Sequence, residues 1–539
     1  MSGALRRHVG AIRAAGVGLA AVVAAQSAAA APPMDTFVVA GNTSAMITLD
    51  PAAVAESFTA NIMRSVCEAL IALDKKDAKT LVPGIAESWK ASDDLKTFTI
   101  KIRKGLKFPS GNPLTAEDVV WSMKRTIKLN LTNARRVREW DITAKNVDQV
   151  IQLVDSHTLV IKPTRPWAPT LFPFAFTDFR VAPVLDRKEV LKHEAAGDLG
   201  NKWLTTKTSC YGPYRVTSWR PQELLILERN EGYGGAKPKM KRIIIRHVPE
   251  AGAQRLLLEK GDIDHAMDID PADFPAMRAS KNVWLQVSPA LGINYLMFNM
   301  KDPRFKSPKL FEAFRHLIDY EGLERTVLKD AYFTRQSPVP FGMFGALPKD
   351  HRPFKLDLEK AKKLLAEAGH PNGFEAEMIV LKSFPSSDIA LHLQANAAKV
   401  GVKLKITQMI GAQLFKRARA RNFEIYMAGY GFNYADANNP MLRHAYNPDN
   451  SDGAKNSISV AWRASWDPGE WINKTIRAAQ VEKDPVKRAA MYQELQRRHM
   501  ATSPLIYMFQ SNSVNALHKR VTHFTRNLIT EYYESIEKK

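Results

Sequence analysis

The sequence is poor in the residues that carry covalent and metal chemistry. It has two cysteines, Cys67 and Cys210, in 539 residues. Without a CxxC spacing, two cysteines cannot supply a structural zinc site. Export would permit them to pair. Sequence separation gives no measure of their Cα distance, and two buried thiols are expected ahead of a disulfide. There is no HExxH, no GxxxxGK[ST], no GxSxG, no GxGxxG after a strand and no EF-hand loop. The chain therefore lacks the signatures of zincins, P-loop NTPases, α/β-hydrolases, dinucleotide enzymes and EF-hand proteins. No cofactor and no metal are expected. The histidines are scattered, and His247 and His265, in or beside α/β elements, read as structural. Asp262, Asp264, Asp268 and Asp270 have a spacing that a paired-carboxylate glycosidase could use, but nothing around them supports one. Beyond residue 30, no apolar run free of charge reaches the length of a membrane span.

Acids are also in the minority. Lys and Arg number 77 against 55 Asp and Glu, for a net charge of +22. Nucleic-acid binding would need those cations gathered on one face. They are dispersed among acids, and the densest patches (residues 124–138, 237–246 and 416–421) read as solvated faces. In the last, Lys416, Arg417, Arg419 and Arg421 flank a helix end, where cations complement the dipole. No nucleic-acid partner is expected.

The N-terminus reads as a targeting segment. Arg6, Arg7 and Arg13 precede a short apolar stretch, residues 14–25, and Ala28, Ala29 and Ala30 offer a small-residue cleavage site. Residues 1–30 are expected to be a signal peptide cleaved near Ala30. The Arg6-Arg7 pair hints at twin-arginine export, but His8, Val9 and Gly10 do not support it, so the general secretory route is expected. No cysteine near the cleavage site offers a lipid anchor. The whole sequence is 45% hydrophobic and 24% charged, and long enough for two or three cores.

What the sequence does contain is most informative in residues 81–125. Trp89 precedes a turn at Ser92-Asp93-Asp94. Phe98, Ile100 and Ile102 then alternate with Thr97, Thr99, Lys101 and Arg103, the period of a half-buried strand. Pro109-Ser110-Gly111-Asn112-Pro113 is a tight turn. Thr115, three residues before Asp118, caps a helix through Val119, Val120, Trp121 and Met123. Elsewhere Phe37-Val38-Val39-Ala40 predicts a first strand, and Ile62, Val66, Leu70 and Ile71 predict a helix. Ala251 to Lys260 predicts a second helix, before Gly261-Asp262-Ile263-Asp264. Ala361, Leu364, Leu365 and Ala368 share one face of a third, which Gly369 stops. Taken alone, these alternating elements support a multi-domain α/β protein.

The order turn, strand, turn, capped helix in residues 81–125 closely resembles the hallmark of the peptide/nickel-type solute-binding proteins of bacterial ABC importers, extracellular solute-binding protein family 5. Further segments resemble it in the right order. They are Leu49-Asp50-Pro51, Gly212-Pro213-Tyr214, residues 293–299, residues 357–369 and residues 481–503. The resemblance implies an α/β, two-lobed clamshell with an enlarged first lobe and two hinge strands. Lobe I would take residues 31–290, with an extra subdomain at about 61–180. Lobe II would take 291–504, and residues 505–539 would return to lobe I. It also implies a monomeric periplasmic protein that hands a peptide or other small solute to an inner-membrane permease and its ATPases.

Residues 427–440, MAGYGFNYADANNP, interleave aromatics with small and polar residues. Two readings are open: a packed aromatic turn at a strand end, or a cleft wall whose aromatics enclose a ligand while polar residues orient it. The stretch resembles the family's ligand-binding loop. That resemblance places Tyr430 at its tryptophan, Asn433 at its first aspartate, Tyr434 at the next aromatic and Asp436 at its second acid. In the family's peptide binders the first aspartate pairs with the peptide's α-ammonium. An amide at 433 removes that charge-assisted bond, worth roughly 1.5–3 kcal/mol. A ligand without a free amine, or an anionic one held by Arg135, Arg136 or Arg138, fits equally well. Ser44, on the opening loop, is expected to supply a contact from the other lobe. The ligand's identity stays open among peptides, opine-like compounds, sugars and metal chelates. Two rival roles also remain: an extracytoplasmic peptide or glycan hydrolase, and a ligand-sensing or chaperone protein on the same scaffold.

Overall fold

A computed structural model describes residues 31–539; the expected signal peptide, residues 1–30, lies outside the described residues. The molecule is organised around two long antiparallel strands, Val283–Phe298 and Leu505–His518, which run through both halves of an 11-stranded sheet. Their register is continuous from Val283↔His518 to Pro289↔Asn512. It shifts between Pro289 and Ile293 and again between Asn294 and Tyr295, ending at Met297↔Leu505. The first shift falls where the residues change from half-buried to fully buried. A break in ladder register bends and twists a strand pair, and here it divides the sheet into two lobes.

On one side of the break, Ile425–Gly431 pairs with Val283–Phe298, and Glu375–Leu381 and Lys403–Met409 extend the sheet in parallel. Parallel strands need crossover helices; Ser386–Ala398 and Gly411–Arg419 supply them. This half is lobe II. Its core includes Phe298, Phe311, Phe314, Met378 and Ile425. The helix Leu358–Glu367 packs there through Ala361, Leu364 and Leu365, capped by Asp357 and ended at Gly369, whose φ is +92°.

On the other side, Thr36–Gly41 lies parallel to Arg242–His247 and to His265–Ala266. Leu224–Arg229 and Tyr214–Arg220 complete that half, lobe I. After Leu505–His518 the chain ends in a hairpin, Val521–Arg526 with Glu531–Lys538, which adds Phe524, Tyr533 and Ile536 to the core around Phe37. His265 is buried there with neither ring nitrogen hydrogen-bonded, and burial pushes its pKa down to about 4. Asp264 is equally buried and is held by Arg520 and Lys538. Asp268 accepts from the Asn42 amide and Gln254. The aspartates that could suggest a glycosidase pair are thus engaged in internal bonds.

A four-stranded antiparallel sheet, in the order Ala86–Ala91, Phe98–Ile102, Thr158–Ile161, Ile151–Asp155, forms a separate layer on lobe I. Phe98, Ile100 and Ile102 point into its core. The helix Ala116–Lys128 begins in a capping box, the Thr115 amide donating to Asp118 at 2.9 Å.

Two expectations are corrected. The helix anticipated through Ile62, Val66, Leu70 and Ile71 stops at Arg64, and Ile71 opens a short strand, Ile71–Leu73. The chain turns away because the backbone at 65–68 runs beside 211–214. Tyr214 donates to the Ser65 carbonyl, and Glu68 donates to that of Tyr211. The second correction follows directly. Cys67 and Cys210 are not separate thiols but a disulfide, with Cα atoms 4.9 Å apart.

Candidate functional site

The loop after Ile425–Gly431 leaves the central sheet beside the hinge, with Tyr430 opposite Ile293 and Gly431 opposite Gly292. It then dives between the lobes. Tyr430 is half-buried, its ring 5.1 Å from those of Phe432 and His444. Asn433 is also half-buried. From Tyr434 onward the chain is interior.

Tyr434 is where the lobes meet. Its ring lies 5.5 Å from Trp140 and 5.9 Å from Phe174, both from the lobe I side. Aromatic pairs at this spacing add about 0.5–1.5 kcal/mol beyond area burial. The phenol oxygen accepts from Asn438 at 2.9 Å, and burial pushes its pKa well above the usual tyrosine range. The apolar cluster is continuous across this contact, from Trp140, Trp167 and Phe172 to Met441 and Trp466. Polar contacts flank it. Arg443 pairs with Glu139, the Ala168 amide donates to the Gln480 carbonyl at 2.8 Å, and Lys483 reaches the Asp93 carbonyl.

Asn433 faces a small cavity of about 20 Å³ enclosed by both lobes. Opposite it stand Arg136, Glu139 and Asp178. Asp178 is bidentate with Arg180. Burial alone would raise its pKa, but Arg180, Arg64 and Arg136 together hold the carboxyl well below the usual range. Burial, helped by Arg180, pushes Arg136 down to about 10. Three guanidiniums around one carboxylate leave this wall electropositive. Arg138 is engaged by Asn130, and Arg135 points to solvent.

The expected site residues therefore separate. Asn433 and Tyr434 line the lobe junction, whereas Tyr430 packs on Phe432 and His444 within lobe II. Asp436 does not line the junction either: it is fully buried within lobe II, both carboxylate oxygens on Arg488 at 2.7 and 2.8 Å, with one also accepting the Asn438 amide. Ser44 is exposed on the turn Thr43–Ala45 and does not line the cavity at Asn433. Sequence reasoning missed Trp140, Phe174, Glu139 and Arg443. The first three lie far from the loop in sequence, and nothing local marks any of the four as a junction residue. Among the described residues, no three His, Cys, Asp or Glu side chains are grouped to hold a metal ion, and no helix is long and apolar enough to cross a membrane.

The Arg443–Glu139 pair is mostly buried and joins the lobes, so it favours the closed arrangement. Glu139→Ala is expected to release about 1.5 kcal/mol, roughly a tenfold shift toward the open form. Small-angle scattering of the ligand-free protein should show a larger radius of gyration; an unchanged profile would refute the latch.

The model of bacterial extracellular solute-binding proteins, family 5 Middle, matches residues 80–452. The chain is 28% identical over 512 residues to the probable D,D-dipeptide-binding periplasmic protein DdpA of Escherichia coli (strain K12), covering 93% of each. It is 24% identical to the glutathione-binding protein GsiB of Shigella flexneri serotype 5b (strain 8401), covering 94% of this chain and 95% of that one. Among solved structures, HbpA2 from Haemophilus parasuis superposes with a TM-score of 0.80 at 24% identity, over 94% of this chain and 100% of that one. Two lobes on a shared strand pair, closing over a loop at the hinge, and a family match over most of the chain lead to one assignment: this protein belongs to family 5 of the bacterial extracellular solute-binding proteins.

Proposed function

We propose that the chain is the periplasmic substrate-binding component of an ABC import system. It captures a peptide or other small solute between the lobes, without converting it, and delivers it to an inner-membrane permease powered by ATPases. It acts as a monomer, with residues 31–290 and 505–539 as lobe I and 291–504 as lobe II. The observation that carries this reading is the Val283–Phe298/Leu505–His518 pair, which crosses between lobes beside Asn433. A ligand that touches both lobes gains contacts only on closure and so shifts the population toward the closed form. The dipeptide and glutathione named for the relatives support a small peptide-like ligand class.

Native mass spectrometry of the exported protein, followed by thermal-shift screening and transport in proteoliposomes with the cognate permease, tests the proposal. A ligand at 100 times its Kd should stabilise by about 2.7 kcal/mol and stimulate uptake. Cleavage of peptides or glycans that one substitution abolishes would overturn it in favour of a hydrolase. Binding without any stimulation of transport would favour a sensing or chaperone role.

Asn433 sets the chemistry at the junction. Its uncharged amide can donate through its NH2 toward a cavity also lined by Arg136, which suits an anionic group better than a free ammonium. Asn433→Asp is expected to raise affinity for dipeptides with a free amine by about tenfold, from about 1.5 kcal/mol of charge-assisted bonding. Calorimetry showing no gain would refute this role for residue 433.

A further inference from the structure

A sizeable cavity lies away from the lobe junction. It holds about 510 Å³ and is lined only by residues 64–83, 177–179, 213–236 and 530–534, none of them from lobe II. The segment bearing Asp178 separates the two spaces: Asp178 lines the junction cavity, while its neighbours Thr177 and Phe179 line this one. The size lies within the range of small-molecule sites, about 300–1,000 Å³.

Its walls carry polar groups without internal partners. Ser65 is 2% exposed and its hydroxyl makes no hydrogen bond; Glu531 is 5% exposed, its Oε1 lies 3.9 Å from Arg526, and its Oε2 makes no hydrogen bond. Buried polar atoms are normally satisfied, and each orphan costs about 1–3 kcal/mol. Arg64 makes no direct ion pair among the described residues, although its charge also bears on Asp178. It reaches only the Thr177 carbonyl, at 3.5 Å, and stands over the Phe179 ring. Glu68, on the wall shared with Tyr233, likewise forms no ion pair, and burial pushes its pKa up to about 7. The lining combines a cation, Arg64, and two carboxyls, Glu68 and Glu531, with the apolar Leu73, Val82 and Phe179, which complements a molecule bearing both charges on an apolar frame.

We propose that this lobe I cavity is a second binding site, separate from the interlobe cleft, for an elongated zwitterion whose carboxylate pairs with Arg64 and whose amine meets Glu68 and Glu531. The orphaned Ser65 hydroxyl gains a partner in the same step. Occupancy does not require lobe closure, because no lobe II residue contributes.

The test is calorimetry with 6-aminohexanoate, against hexanoate and hexylamine, each lacking one charge. Full-length mature protein should bind 6-aminohexanoate at least tenfold more tightly than either. Arg64→Gln should weaken that binding at least tenfold. Ala236→Trp, at an exposed lining position that tolerates bulk without disturbing the core, should block it by filling the mouth. No binding by the unsubstituted protein, equal binding of all three compounds, or binding indifferent to both Arg64→Gln and Ala236→Trp would overturn the proposal.

Discussion

Arg488→Met is expected to destabilise the protein by about 3–5 kcal/mol, the typical cost of leaving one member of a buried ion pair uncompensated. Arg488 and Asp436 are both wholly inaccessible. The guanidinium sits between the rings of Phe344 and Tyr492, at 4.8 and 5.0 Å, and its Nε donates to the Ala479 carbonyl. Burial alone would lower its pKa; Asp436 outweighs that and holds it above the ordinary value. Removing the cation strands the carboxylate in an apolar core with only the Asn438 amide as donor. Asp436→Asn should cost a similar amount by stranding the guanidinium. The double variant Arg488→Met/Asp436→Leu should recover much of the loss, because well-packed apolar replacements of buried pairs are often neutral. Urea denaturation of the four proteins measures the cycle. The functional corollary is that ligand affinity, measured where all four are folded, stays within about threefold. A single-variant loss below 1 kcal/mol, or an affinity that collapses while stability holds, would return Asp436 to the cleft.

That pair shows where the sequence is legible and where it stops being so. Residues 81–125 declare their structure locally: alternation fixes the strand, and the Thr115–Asp118 spacing fixes the helix start. Asp357 and Gly369 do the same for Leu358–Glu367. Such signals live within a few residues of one another, and the structure reproduces them. The site is different. Asp436 looks like a ligand-facing acid beside aromatics, and what hides it is Arg488, 52 positions later on the helix Pro485–Thr502. Tyr434 looks like a cleft aromatic, and what makes it a lobe contact is Trp140 and Phe174, hundreds of residues earlier. Ile62 to Ile71 reads as one helix because its apolar spacing is helical. The tertiary neighbour that interrupts it, the 211–214 backbone, leaves no trace in that spacing. Each misreading concerns a partner distant in sequence.

The same distance makes Cys67–Cys210 energetically large. Closing a loop over a sequence separation of 143 removes about 5 kcal/mol of unfolded-chain entropy in the loop-closure model. The surroundings indicate that the bond adds to contacts which stand without it. Glu68 donates to the Tyr211 carbonyl, and Tyr214 to that of Ser65. At Gly212 the two segments approach so closely that a Cβ would lie 2.3 Å from the Val66 carbonyl oxygen. Cys67→Ala/Cys210→Ala should therefore keep the native fold while losing up to about 5 kcal/mol in guanidinium denaturation. Unsubstituted protein in excess reductant should fall to the same midpoint, because reduction and substitution remove the same constraint from the unfolded chain. Thiol titration of the unsubstituted protein under denaturing, non-reducing conditions should find no free cysteine. Coincident midpoints with and without reductant would show that the bond does not form, and would restore the two buried thiols. A double-alanine variant that fails to fold would instead place the bond among the contacts that bring 65–68 and 211–214 together, rather than after them.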